Sequence, residues 1–184
     1  MPSGLPTTSS VPAEQAFLTH LQTLLANMLN RQLGQASNFL ECDFMSNSVI
    51  ASVEQKLALE KSLHQPVPSC VIHKLRMQVK RKDSSISSGP TSHIAVLLSL
   101  PTYHILIDPT HLQYSLPFAV TNQAANALRS TYPSQISGFQ YFKFYDRPVE
   151  PLLMAWRNCI SSKPNVASVA GVELLDKDAR GTKM

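Results

Sequence analysis

The sequence predicts an α+β fold in which N-terminal helices pack on an antiparallel sheet. Two helical patterns come first, over residues 13–33 and 42–63, and β-strand patterns begin only at residue 70. Helices grouped ahead of strands are typical of the α+β class. The chain has 184 residues, enough for one domain with its own core.

The two helices are predicted from apolar residues that recur three and four positions apart. In the first helix these residues are Phe17, Leu18, Leu21, Leu24, Leu25, Met28 and Leu29. Pro12 suits its start and Gly34 its C-terminal cap. In the second helix they are Met45, Val49, Val53 and Leu57, and the prolines that follow end the helix.

Strands are predicted from partial alternation and from short apolar runs bounded by turn residues. They cover residues 70–79, 93–98, 103–108 and 139–145, and the Ser-rich residues 83–90 form a loop. Further short helices are expected over residues 122–130 and 149–159.

The chain is expected to form one catalytic domain over residues 12–174, after a disordered lead-in at 1–11 and before a polar tail at 175–184. No apolar run reaches the length of a membrane span, and the N-terminus lacks a secretory pattern. Three cysteines, an odd number, favour reduced thiols in the cytoplasm over a disulfide framework.

Basic residues concentrate in one stretch, although the net charge is only +4. The stretch contains Lys74, Arg76, Lys80, Arg81 and Lys82. It is either a solvated strand and loop or, at Lys80, Arg81 and Lys82, a binding site for an anionic partner. It lacks the interleaved aromatic residues that stack on bases, which argues against nucleic acid.

His93 and Asp108 lie on two predicted neighbouring strands. If the turn is centred between Leu100 and Pro101, the two residues are directly opposite, with Cβ atoms roughly 4.5–5.5 Å apart. A carboxylate beside an imidazole fixes its tautomer, so that the other ring nitrogen can act as a base. The spacing therefore predicts an orienting pair that needs a nucleophile.

Cys42 is the candidate nucleophile because it opens the second helix. The positive end of a helix dipole favours a thiolate, and a neighbouring imidazolium favours it further. The backbone N–H of Cys42 is one candidate oxyanion donor, and a side-chain amide before it, Gln35 first and Asn38 as the alternative, is the second. Asp43 suits the helix N-terminus but opposes a second negative charge beside it.

Together these segments resemble the transglutaminase-like superfamily. The resemblance covers about residues 30–112 and is carried by Cys42 at a helix start, Ser92–Val96 on one strand, and Ile105–Thr110 on the next. Arylamine N-acetyltransferases share the Cys, His, Asp order, but the Arg-Gly-Gly before their nucleophile is absent here. The resemblance implies a compact transglutaminase-like, papain-like core with Cys42, His93 and Asp108 as its triad.

The implied chemistry is a cysteine acyltransferase that needs no metal or organic cofactor. Cys42 would form an acyl-enzyme from a thioester, ester or amide, including a thioester on an acidic carrier protein. Relatives of this fold include cyclases of natural-product biosynthesis, so an intramolecular cyclase or an acyltransferase is the first expectation. A cysteine peptidase or amidohydrolase, and a non-catalytic interaction module on the same scaffold, remain alternatives, and the oligomeric state is open.

The other thiols and imidazoles are expected to have structural roles. Cys70 lies on a strand and Cys159 has no base near it in sequence, so both are expected to pack. Cys70 and His73 form one close pair, but a zinc site needs a second such pair. The sequence therefore predicts no metal site.

Overall fold

A computed structural model of the chain describes residues 10–32, 42–65, 67–83, 89–102, 104–115, 143–145 and 148–179. In these segments the elements follow in the order α1 (Ser10–Gln32), α2 (Cys42–Ser62), β1 (Val71–Arg81), β2 (Thr91–Ser99), β3 (His104–Ile107), a 3₁₀ helix (His111–Ser115), β4 (Lys143–Tyr145), α3 (Val149–Ser161) and β5 (Val166–Asp176). The predicted helix at 122–130 and the predicted strand residues 139–142 lie outside the described residues.

The strands form one antiparallel sheet in the order β4-β3-β2-β1-β5. Helices precede most of the sheet, so the predicted α+β class is confirmed. None of the described helices has the length and apolar composition that a membrane crossing demands.

Helices cover both faces of the sheet, which gives two apolar cores. On one face α1 and α2 bury Phe17, Leu21, Met45, Val49 and Val53 against Val96, Leu98, Ile105 and Ile107. On the other face α3 buries Leu152, Trp156 and Ile160 against Leu75, Met77, Leu97 and Leu106. Because both faces are covered, β2 is buried without a break from His93 to Leu98 instead of in an alternating pattern.

The predicted register of the β2–β3 hairpin was wrong by two residues. Ser99 pairs with His104 and Val96 with Ile107, so the turn is centred one position later than predicted. In this turn the backbone N–H and the hydroxyl of Thr102 both donate to one oxygen of buried Glu14 in α1. A contact with a distant helix therefore accompanies the shifted register.

The slip nevertheless leaves His93 and Asp108 on one face. Continuing the observed register places Asp108 beside Ala95, two residues from His93. Side chains two apart on a strand point to the same side of the sheet. The two residues are therefore diagonal neighbours, and the long side chain of histidine can span that separation.

The strand β5 was not predicted. It covers Val166–Asp176 and pairs with β1 at the edge of the sheet, so residues 175 and 176 belong to a strand and not to the polar tail. The register of this pairing shifts between Arg76 and Gln78 of β1. Gly171 of β5 lies beside the shift and has a φ of 60°. A β-bulge of this kind favours glycine, because other residues are strained at positive φ.

Candidate functional site

The candidate site lies where the β2–β3 hairpin opens. Strand β3 pairs with β2 only as far as Val96, and the carbonyl groups of Ile94 and Ser92 lie beyond that point. The Ser46 hydroxyl donates to the Ile94 carbonyl at 3.2 Å, and the Cys42 thiol donates to the Ser92 carbonyl at 3.6 Å. The N-terminus of α2 thus takes the place of β3 beside β2, which brings Cys42 to the level of His93.

His93 and Asp108 form a buried, fully partnered pair. Both side chains are completely buried, and His93 Nε2 lies 2.6 Å from Asp108 Oδ2. Trp156 Nε1 donates to the same Oδ2 at 2.7 Å, and the backbone N–H of Thr110 donates to Oδ1 at 3.2 Å. Three donors therefore compensate the carboxylate for the loss of water.

The electrostatics of the pair keep a proton on the imidazole. Burial lowers the pKa of His93, but the charge and hydrogen bond of Asp108, with smaller effects of the same kind from Cys42, raise it to about 10. Burial likewise raises the pKa of Asp108, and the opposing effect of His93 and the donors around it leaves that pKa below its usual value. At neutral pH the pair is therefore imidazolium beside carboxylate.

Cys42 is half-buried at the first residue of α2. Its thiol donates to the carbonyl of Ser92, the residue before His93, and its interaction with His93 raises the pKa of that imidazole. The structure therefore brings Cys42, His93 and Asp108 to one place.

Three residues that sequence reasoning missed surround the imidazole. The ring of Tyr114 meets that of His93 edge-on at 5.0 Å between centroids, and Trp156 lies over it at 5.7 Å. Gln113 Nε2 is 3.2 Å from His93 Nδ1. Gln113 and Tyr114 follow the Asp-Pro-Thr segment closely, and Trp156 is the chain's single tryptophan, but no local pattern shows that they converge.

The residues of the basic stretch differ in their exposure. Lys80 and Lys82 are exposed, whereas Arg81 is 8% exposed and is held by Asp83 at 2.9 Å. Arg81 also donates to the Gln113 carbonyl at 2.9 Å. Its guanidinium therefore supports the segment that carries Gln113 and is not available as the middle of an exposed anion-binding patch.

The remaining candidate residues lie elsewhere. Gln35, the candidate oxyanion donor, is outside the described residues. Burial raises the pKa of Cys70 to about 12, so its thiol stays protonated, and it lines a cavity of about 600 Å³ between α2, β1 and β5 that includes no residue of the candidate site. Cys159 is half-buried on α3.

His111 completes the surroundings of Asp108. Its Nδ1 lies 3.3 Å from the Asp108 carbonyl oxygen, and burial lowers its pKa to about 4. Unlike His93, this imidazole is therefore neutral at physiological pH.

Comparisons with known proteins add no relative to this picture. No protein-family model, no curated protein and no solved structure matches the chain.

Proposed function

We propose that the protein is a cysteine-dependent acyl-transfer enzyme with a transglutaminase-like core. One observation carries the proposal: a partly exposed thiol at a helix N-terminus lies beside a buried imidazole whose Nε2 is 2.6 Å from the Asp108 carboxylate. This is the arrangement in which a cysteine is most readily present as a thiolate at neutral pH. The order of Cys42 at a helix start, His93 on β2 and Asp108 directly after the antiparallel strand β3 also supports the proposed core.

In the proposed reaction the reacting form is a thiolate–imidazolium pair, in which His93 holds its proton and the partly exposed Cys42 thiol has released its own to solvent. The thiolate attacks the acyl carbonyl and forms an S–C bond, and the leaving group departs with the proton of the imidazolium. His93, now neutral, takes a proton from the second nucleophile as that nucleophile attacks the acyl-enzyme. The Cys42 thiolate leaves, and Asp108 stabilises the imidazolium before acylation and after deacylation.

We further propose a thioester as the acyl donor and an intramolecular carbon or an amine as the acceptor. Exchange between a thiolate and a thioester replaces one C–S bond by another, so it needs less activation than attack on an amide. The three free cysteines fit the reducing cytoplasm that we propose for the enzyme.

Intact-mass spectrometry with a small N-acetylcysteamine thioester tests the proposal. We expect one acyl group on wild-type protein, mapped to the Cys42 peptide, and none on Cys42→Ser. The matched controls Cys70→Ser and Cys159→Ser should still be acylated. Added amine should discharge the acyl-enzyme as an amide, whereas a hydrolase would release free acid at the same rate with or without amine. Absence of a Cys42 adduct would overturn the proposal.

A second candidate is a non-catalytic interaction module, and one contact favours it. The Gln113 amide nitrogen lies 3.2 Å from His93 Nδ1, the ring nitrogen that does not face Asp108. If this amide holds Nδ1 permanently, the thiol cannot exchange its proton with the imidazole. Acylation of Gln113→Ala but not of wild-type protein would favour this candidate.

A further inference from the structure

Lys74 is a buried cation beneath the start of α2. It is 2% exposed and lies on β1 opposite Val96, on the face that α1 and α2 cover. Its Nζ is 3.0 Å from Asp43 Oδ1 and 2.7 Å from the Ala179 carbonyl oxygen. The ammonium therefore links β1, the first turn of α2 and the segment after β5.

Packing alone does not explain a charge at this position. A buried ammonium loses its hydration and is tolerated only when it is paired, whereas an apolar side chain of similar size would carry no such cost. Its neighbour on the same face, Ile72, packs on the apolar core. What the charge adds is an interaction with Asp43.

Asp43 is the residue directly after Cys42, and its side chain is 38% exposed. A carboxylate so close to the thiol disfavours a second negative charge on sulfur. An ammonium 3.0 Å from the carboxylate offsets much of that effect and also fixes the helix turn that carries the thiol.

We propose that Lys74 is a positioning residue for Cys42: it holds the first turn of α2 through Asp43 and compensates the Asp43 charge, so that the thiolate can form. This inference rests on the proposed function, because it assigns a residue to the activation of the same thiol. Lys74 itself touches neither the thiol nor the acyl group in this account.

The test measures iodoacetamide alkylation of Cys42 between pH 6 and 9 by peptide mass spectrometry. The variants are Lys74→Met, Asp43→Asn, the double variant and Lys74→Arg, with circular dichroism to check folding. Two titratable groups interact with Cys42: His93 on β2 and Tyr114 on the 3₁₀ helix. Both are unchanged in every variant.

Lys74→Met should lower the Cys42 alkylation rate at pH 7 by about three- to tenfold, as expected when the Asp43 charge next to the thiol is no longer compensated. The loss should shrink as pH rises, because the thiolate then forms without help. The double variant should return to within about twofold of wild type, because it removes both charges. If Lys74→Met does not fold, two other variants test the inference. Asp43→Asn alone should react faster than wild type, and Lys74→Arg should react at the wild-type rate.

Two results would overturn the inference, and they differ from a failure of the proposed function. One is a Lys74→Met rate equal to wild type. The other is a loss that is the same at every pH and is not restored by Asp43→Asn, which would indicate a merely structural role. By contrast, a wild-type Cys42 no faster than a free thiol would remove the proposed function and this inference together.

Discussion

At the scale of single residues, two buried histidines have opposite electrostatic surroundings. Asp108 contacts both, but His93 faces its carboxylate and His111 approaches its carbonyl oxygen. Burial lowers the pKa of each, and only at His93 does the carboxylate outweigh burial, so that the two values are about 10 and about 4. The position of one carboxylate thus decides which imidazole carries a proton.

This contrast predicts how stability depends on pH. The pKa of His93 is raised above the ordinary ~6.5, so its contribution is complete below that pH and is lost as pH rises toward 10. The pKa of His111 is depressed, so stability falls as pH drops from ~6.5 toward 4. The free energy of unfolding, measured by urea titration from pH 5 to 9, should therefore be greatest near pH ~6.5.

Substituting each histidine in turn tests the decline of stability above the maximum and the decline below it separately. His93→Gln should flatten the decline above the maximum, and His111→Gln should flatten the decline below it, each by up to about 1.4 kcal/mol per pH unit. A His93→Gln profile parallel to that of wild type above pH 7 would contradict the assignment of the proton to His93.

Trp156→Phe tests the indole N–H that shares Asp108 Oδ2 with His93. Phenylalanine keeps an aromatic ring over His93 but removes the donor 2.7 Å from the carboxylate. We expect unfolding to become easier by about 1.5–3 kcal/mol, the usual value for a hydrogen bond to a charged group. Cys42 alkylation should slow as the pair loosens, and in a His93→Ala background the same substitution should leave the alkylation rate unchanged. Equal slowing in both backgrounds would contradict a role through His93.

At the scale of elements, the short strand β3 creates the site. It covers only His104–Ile107, and where it ends the edge of β2 is free to accept hydrogen bonds from α2. The thiol therefore reaches the imidazole from the side of the strand. A longer β3 would continue its pairing with β2 and occupy the place of Cys42.

Ser46→Ala tests this contact between α2 and β2. The buried Ser46 hydroxyl donates to the Ile94 carbonyl across the two elements, whereas the Ser48 hydroxyl donates to Phe44 within its own helix. Ser46→Ala should cost about 1 kcal/mol of unfolding free energy and slow Cys42 alkylation. The matched control Ser48→Ala should change both quantities little. Equal effects of the two substitutions would show that the contact does not hold the thiol in place.

At the scale of the whole molecule, the sequence predicted the elements whose apolar periodicity lies within the element itself. Of the predicted stripe, Met45, Val49 and Val53 are fully buried and Leu57 is partly buried, and the helix that carries them begins at Cys42. Strand β5 was missed because, as an edge strand with mostly exposed side chains, it lacks an apolar alternation that would mark it. Its pairing with β1 joins segments that are separated by about half of the chain.

The candidate site was predictable in its members and not in its surroundings. Cys42, His93 and Asp108 follow from residue type and position on elements. The shared face of His93 and Asp108 was preserved despite a register error of two, because side chains alternate with period two. Arg81 was assigned to a surface patch because charge predicts exposure, but Asp83 and the Gln113 carbonyl hold it inside. Gln113 and Trp156 meet His93 only through tertiary packing.

The most direct test of the account is the alkylation rate of all three cysteines against pH, by peptide mass spectrometry, in wild type and His93→Ala. We expect that Cys42 reacts fastest near neutral pH and that His93→Ala removes this advantage, while Cys70 and Cys159 are unaffected. A Cys42 that reacts no faster than the other two, or that is indifferent to His93→Ala, would contradict it.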